Sequence, residues 1–266
     1  MQERIPKLEA LLKQARTDQA PFGVNIGIPS PAVVEITGRF GFDYLIIDQE
    51  HTVLGDNTQL SDMARAADLT GRPWFVKVPK PEHLRVRDAM DAGAWGVMLP
   101  HIRTAAQLQE LMHEILLPPL GRRGVCSLSR STWHIGRTKY AGGRRPMIEF
   151  RDYINQHMCI IPTIESVEGL QNLDAILEVP GYQIIHLGVE DIWMSLTHGN
   201  DMPKAKAAAD AAAKRIREAG KIVMTFCEVD DDHDRTPGSM VYTAEVWCMA
   251  HGIQHALKLH GPRNDR

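Results

Sequence analysis

Eight short apolar runs, separated by stretches of helical length, constrain this chain more than any other feature of its sequence. They are GVNIGIP at 23–29, DYLIIDQ at 43–49, WFVKVP at 74–79, WGVMLP at 95–100, MCIIPTIE at 158–165, QIIHLG at 183–188, KIVMTF at 221–226 and GIQHALKL at 252–259. The stretches between them, such as NTQLSDMARAADLTG, PEHLRVRDAMDAGA, TAAQLQELMHEIL and VEGLQNLDAILEV, carry apolar residues at three- and four-residue spacing, the period of an amphipathic helix. Alternation of this kind predicts a parallel α/β fold, because parallel strands need a crossover and the crossover helices cover the sheet. Eight repeats in 266 residues predict a single-domain (β/α)8 TIM barrel over residues 1–266. A doubly wound open sheet shares the alternation, but no G-x-G-x-x-G turn follows the first run. The eighth run is the least strand-like, since GIQHALKLH holds two His and a Lys.

One connection breaks the repeat. The segment GRRGVCSLSRSTWHIGRTKYAGGRRPMIEFRDYINQ at 121–156 is rich in Gly, Arg and Ser and reads as a long loop insertion with a functional or lid role.

Composition narrows the partners. A hydrophobic content of 44% with 24% charged residues suffices for one large core. The formal net charge of −3 and the short Arg144-Arg145 pair argue against nucleic acid. The opening MQERIPKLEALLKQARTD lacks the apolar stretch of a secretory signal, and no apolar run is long enough to span a membrane. Cys126, Cys159, Cys227 and Cys248 form no C-x-x-C pair and are expected to be buried free thiols. A cytoplasmic protein acting on small molecules is the expectation.

In a (β/α)8 barrel the chemistry gathers at the carboxyl ends of the strands. Polar residues at those ends are Asp48, Glu50 and His51, then Lys77, then Thr163 and Glu165, then Glu190 and Asp191. Glu165 and Asp191 could supply part of an oxygen site for Mg²⁺, Mn²⁺ or Co²⁺, or each could cap the helix that follows it. The cap reading is weaker for Glu165, on a strand otherwise buried. His51 could act as a general base with Asp48 orienting its ring, or serve only as a loop hydrogen-bonder. Lys77 could face a substrate carboxylate, form a Schiff base or point outward. Trp95, Met98, Met194 and Trp247 read as core filling.

These residues sit in segments that resemble the HpcH/HpaI aldolases, class II metal-dependent pyruvate aldolases of the 2,4-dihydroxyhept-2-ene-1,7-dioate aldolase type. GFDYLIIDQEH, FVKVP, DAGAWGVMLP, PPLGRRGV, TIES and GVEDIWMSLTHG occur in the family's order, over roughly residues 20 to 200. The resemblance implies a divalent metal cation on Glu165 and Asp191 and a base at His51 supported by Asp48. It implies further that the backbone amides around Gly188 and Val189 hold a 2-oxo acid carboxylate, and that Arg123 is the family's usual loop arginine. Glu50 and Thr163 are assigned to substrate binding with them, and Lys77 to offsetting charge on the enolate oxygen. The expected reaction is cleavage or formation of a C–C bond beside a pyruvate-type enolate, with an aldehyde or another electrophile as second substrate.

The departures from the family pattern are specific. Lys77 replaces an arginine, Thr163 a glutamine and Val189 a proline, and Trp193 adds bulk beyond Asp191. Lys keeps the charge but loses the planar fork. No glycine–aspartate pattern is visible in AHGIQHALKLHGPRNDR, and the chain is expected to stop where the family's last helix, often exchanged between subunits, would begin. A homo-oligomer is still expected, without assuming the family's usual swapped dimer and hexamer. Two rivals stand beside the aldolase: related enolate chemistry, such as oxaloacetate decarboxylation or a citrate-synthase-like condensation, and a catalytically reduced metabolite-binding homologue.

Overall fold

The first seven expected strands form, and an eighth closes them into a barrel. In the computed structural model, which describes residues 3–52, 57–79, 83–126, 128–135, 145–230 and 236–259, the strands are β1 (Phe22–Ile26), β2 (Tyr44–Asp48), β3 (Trp74–Lys77), β4 (Gly96–Leu99), β5 (Cys159–Ile164), β6 (Ile184–Leu187), β7 (Ile222–Phe226) and β8 (Ser239–Ala244). Each pairs in parallel with the next, and β8 returns to β1. Before the barrel lies α1 (Arg4–Gln14). The connections hold α2 (Pro31–Arg39), α3 (Asn57–Thr70), α4 (His83–Asp91), α5 (Ala105–Ile115), α6 (Arg130–Ile135), α7 (Arg145–His157), α8 (Val167–Gln171), α9 (Leu173–Leu177), α10 (Val189–Thr197) and α11 (Met202–Glu218), and α12 (Glu245–Leu259) follows β8.

Strands β2, β4, β5, β6 and β8 are buried at every position. That follows from parallel topology, in which one strand face fills the barrel and the other meets helices, so apolar residues are needed on both. Trp74, Tyr44, Phe75 and Met98 are among the largest fully buried side chains. Packing is tight enough that a methyl group matters. Gly96 lies opposite Cys159 in the β4–β5 register, and a Cβ placed on it would stand 2.3 Å from the Cys159 carbonyl oxygen. Backbone cannot swing away as a side-chain tip can. Gly96→Ala should therefore lower stability by about 1–3 kcal/mol or more, read as a drop in the urea midpoint at unchanged m-value.

The eighth strand is not where the apolar runs placed it. It is SMVYTA, and GIQHALKL lies inside α12. A short apolar run cannot be assigned to strand or helix by composition alone. SMVYTA carries the β-branched and aromatic residues that favour a strand, whereas Val246, Met249, Ile253 and Leu257 recur at helical spacing. No turn or loop separates the two, because β8 ends at Ala244 and α12 starts at Glu245. A helix therefore does follow the last strand, against the expectation that the chain stops short of one.

Two further expectations need correction. Trp95 and Met98 are core residues, but Met194 and Trp247 are about half exposed on α10 and α12. Of the cysteines, Cys159 and Cys227 are buried free thiols, Cys126 is exposed and Cys248 is half-buried. Within 121–156 the structure places α6 and most of α7, whose Phe150, Tyr153 and Ile154 reach the core; residues 127 and 136–144 of that segment lie outside the described residues.

Candidate active site

The carboxyl ends of β2 and β3 carry a buried ion pair. Asp48 and Lys77 are register partners, and two residues past Asp48 the Glu50 side chain folds back to set Oε2 2.6 Å from Lys77 Nζ. Both side chains are buried, 5% and 11% exposed. Glu50 also faces two imidazoles, His51 Nε2 at 3.3 Å and His101 Nε2 at 3.4 Å. Burial pulls the Lys77 pKa down, but Glu50, with smaller contributions from Asp48 and Glu165, outweighs it and leaves the ammonium pKa above its ordinary value. A Schiff-base lysine needs the opposite shift. Outward snorkelling is excluded by the same contacts.

Asp48 holds the turn and does not reach the His51 ring. Its Oδ1 accepts the backbone N–H of Glu50 at 2.8 Å and of His51 at 3.0 Å, and its Oδ2 accepts from Asn25 Nδ2 at 3.0 Å. This corrects the expected Asp48–His51 ring contact: an aspartate at a strand end satisfies the next amides first. The ring of His51 is solvent-exposed and faces Glu50.

The ends of β4, β5 and β6 bring a second group together. Glu165 is buried, and its Oε1 accepts the His101 backbone N–H at 2.6 Å and meets His101 Nδ1 at 2.7 Å. Helix α8 is capped by Ser166, whose hydroxyl accepts from the Gly169 N–H, so Glu165 is released from the cap role. Asp191 lies in the first turn of α10, where the helix dipole favours a carboxylate. A Cβ built on Gly188 would stand 2.9 Å from Glu165 Cβ, 3.0 Å from Glu165 Oε2 and 3.8 Å from Asp191 Oδ2. Only glycine leaves that volume open to both carboxylates. Burial raises the Glu165 pKa, the His101 amide and ring lower it, and the charges of Asp191 and Glu50 raise it again, for a net increase. Crowded carboxylates with one held off its ordinary value are a setting in which a divalent cation is favourable.

Behind this group lies a buried polar chain inside the barrel. Thr163 Oγ1 is 3.3 Å from His186 Nδ1, and Tyr242 Oη is 2.9 Å from His186 Nε2. Burial, then the nearby Lys77 charge, drives the His186 pKa down to about 3, so its ring stays neutral. Burial, reinforced by the fields of Asp48, Glu190, Glu165 and Glu50, raises that of Tyr242.

Of the residues singled out from sequence, Asp48, Glu50, His51, Lys77, Thr163, Glu165, Gly188 and Asp191 share this mouth. Two assignments change. The Gly188 N–H donates to the Ile164 carbonyl, so its contribution is the missing side chain, and the first-turn amides of α10 from Val189 onward are the ones left without intrahelical partners. Arg123 is buried and pairs with Asp91 at 2.8 Å. Asp91 ends α4, which leads into the amino end of β4, so Arg123 belongs to the far end of the barrel. His101, Asn25, His186, Tyr242 and Glu245 were not singled out. Glu245 Oε1 accepts the N–H groups of Gly27 and Ile28 at 2.7 and 2.5 Å and ties the end of β8 to that of β1. Reading the end of every strand would have found His101, and Asn25 lay within the first apolar run; His186, Tyr242 and Glu245 needed β8 or the interior of β6.

Fold and mouth define a (β/α)8 enzyme whose strand ends gather carboxylates, one lysine and two imidazoles around a place for a cation. The HpcH/HpaI aldolase/citrate lyase family model matches residues 22–249, and the chain belongs to that family. It is 30% identical to a hydroxypyruvate/pyruvate aldolase of Pseudomonas aeruginosa over 213 residues, covering 79% of this chain and 75% of that protein. A 4-hydroxy-2-oxo-heptane-1,7-dioate aldolase of Shigella sonnei is 30% identical over 217 residues, covering 80% of this chain and 77% of its own. In three dimensions it is similar to an HpcH/HpaI aldolase/citrate lyase family protein from Burkholderia cenocepacia, with a TM-score of 0.79, 25% identity and coverage of 94% and 98%. The family match runs some fifty residues beyond the segments that carried the resemblance, and so takes in β8 and the start of α12.

Proposed function

We propose that this chain is a metal-dependent carbon–carbon lyase, a class II aldolase cleaving or forming the bond beside the enolate of a pyruvate-type 2-oxo acid. The observation that carries the reading is the convergence of Glu165 Oε2 and Asp191 Oδ2 over the bare backbone of Gly188. A divalent cation bound there, Mg²⁺, Mn²⁺ or Co²⁺, supplies Lewis acidity toward the carboxylate and keto oxygens of the substrate. The amides of α10 from Val189 onward face the substrate carboxylate, with the helix dipole behind them. Lys77, held charged by Glu50, offsets negative charge as it develops on the enolate oxygen. Thr163 presents a hydroxyl whose orientation is set by His186.

In the cleavage direction His51 Nε2 takes the proton of the 4-hydroxyl, the C3–C4 bond breaks, the aldehyde departs, and the bonding pair becomes the enolate that is then protonated at C3. Condensation runs the same steps backward. Glu50, 3.3 Å from His51 Nε2, stabilises the imidazolium formed in the first step. Retention of this whole set in one mouth counts against a catalytically reduced binding protein.

The reading includes self-association in the cytoplasm. Val246, Trp247, Met249, Ile253 and Leu257 are exposed on α12, an apolar face that a second copy would cover. Among the described residues no helix is long and apolar enough to cross a membrane, and the four free cysteines suit a reducing compartment.

The test is a retro-aldol screen of 4-hydroxy-2-oxo acids of increasing length, coupled to detection of pyruvate, on EDTA-treated protein with and without Mn²⁺. Pyruvate release that appears only with the ion is expected. Full turnover without any added ion would sink the metal-dependent reading, and oxaloacetate in the same panel separates decarboxylation from aldol cleavage.

A further inference from the structure

His101 holds a left-handed backbone that most residues other than Gly, Asn and Asp adopt at a cost. Its φ is +58, and it sits just past the end of β4, next to the strand that leads into Glu165. The backbone is held there by its own N–H, which donates to Glu165 Oε1 at 2.6 Å. The consequence is that the imidazole turns into the carboxylate cluster, with Nδ1 2.7 Å from Glu165 Oε1 and Nε2 3.4 Å from Glu50 Oε1. One donor atom each from Glu50, His101 and Glu165 lies within 4.8 Å of the other two.

We propose that His101 is a protein ligand of the divalent cation held at Glu165, donating through Nδ1, and that this nitrogen biases the site toward borderline first-row ions and away from Mg²⁺. The proposal rests on the reading that Glu165 and Asp191 hold such a cation. Neighbouring donors of an octahedral site with bonds of about 2.1 Å stand about 3 Å apart, and the His101–Glu165 contact is an edge of that size. Glu50, the third member of the cluster, is already paired with Lys77 at 2.6 Å, which leaves the His101 imidazole as the remaining candidate ligand beside Glu165. The Glu165 carboxylate is divided accordingly: Oε1 faces His101, and Oε2 faces Gly188 and Asp191. An all-oxygen set favours Mg²⁺, Ca²⁺ or Mn²⁺, whereas imidazole raises affinity along the series through Co²⁺, Ni²⁺ and Zn²⁺.

The experiment loads EDTA-stripped full-length protein with Mn²⁺ and reads nitrogen coupling by pulsed electron paramagnetic resonance, then measures Co²⁺ and Mg²⁺ dissociation constants by calorimetry. Variants are His101→Asn, which tolerates the left-handed backbone and supplies oxygen in place of nitrogen, His51→Asn as the other imidazole of the mouth, and Glu165→Gln. Expected is an imidazole coupling in wild type that survives His51→Asn and vanishes in His101→Asn. The preference for Co²⁺ over Mg²⁺ should fall at least about tenfold in His101→Asn. Mn²⁺ bound without nitrogen coupling in the wild type, and lost in Glu165→Gln, would overturn the His101 assignment while leaving the metal site intact. Coupling that persists in His101→Asn would overturn it as well. Undiminished Mn²⁺ binding in Glu165→Gln would instead remove the underlying reading.

Discussion

Glu165→Gln should reduce metal-supported turnover by more than about a hundredfold while leaving the barrel folded. Loss of residues that only support a ligand already costs about 10- to 100-fold in metal affinity or activity, and removal of the ligand charge itself should exceed that. The amide is close to isosteric with the carboxylate and can still accept the His101 N–H that Oε1 accepts at 2.6 Å. The variant also isolates an electrostatic effect. Burial and the charges of Asp191 and Glu50 raise the folded-state pKa of Glu165, so in the metal-free protein its ionised form is disfavoured relative to the unfolded chain. For an acid shifted upward, stability is greatest where the group is protonated and declines as pH rises through the unfolded and then the folded value. At neutral pH the neutral amide removes that cost. Metal-free Glu165→Gln should therefore melt no lower than metal-free wild type. The wild type should gain thermal stability on adding Mn²⁺, by binding to the folded state alone; the variant should gain almost none. Thermal scans with and without Mn²⁺ check both statements, and an equal Mn²⁺ shift in the two proteins would remove Glu165 from the metal site.

How far the sequence could be read depended on whether the determining contact was local. Strands β1 to β7 were legible because each is a dense apolar run bounded by an amphipathic helix. β8 was not, because SMVYTA passes into α12 without an intervening loop, and a rival apolar run lay downstream. Glu165 and Asp191 stood out as carboxylates at strand ends, a position that carries chemistry in this architecture. His101 occupies the same kind of position after LP at 99–100 and was open to the same argument. Asp48 and His51 illustrate the limit of spacing. Three residues apart they suggest a ring contact, but the carboxylate is taken up by the amides of the turn it starts, and the ring faces Glu50. The His186–Tyr242 contact spans 56 residues and joins β6 to β8, which β7 separates in the barrel, so no local pattern announces it. Gly188 was noticed for its amide, while its use is the volume a side chain would fill, which is visible only once Glu165 and Asp191 are placed around it.

The proposed mechanism gives Lys77 two duties, and a pair of substitutions separates them. Lys77→Met should lower kcat/KM by about 10²- to 10³-fold, the usual effect of deleting one preorganised donor to a developing oxyanion. It should also destabilise the fold, because Glu50 keeps a buried charge with its 2.6 Å partner gone; breaking a buried pair from one side typically costs about 3–5 kcal/mol. Adding Glu50→Gln to Lys77→Met removes the stranded charge. The double variant should recover much of the stability and little of the activity, since the ammonium that faces the enolate is still absent. Non-additivity of this kind is expected for residues in direct contact. The same lysine should resist trapping. Its pKa is held above the ordinary value by Glu50, Asp48 and Glu165 against the pull of burial, so the neutral amine that imine formation requires is scarce at neutral pH. Borohydride added with pyruvate should leave Lys77 unmodified in the peptide mass spectrum, while urea midpoints and kcat/KM on the substrate found in the retro-aldol screen give the two arms of the cycle. A reduced pyruvyl adduct at Lys77 would replace the metal-assisted mechanism with a covalent one. Recovery of activity together with stability in the double variant would show that the lysine serves only to neutralise Glu50.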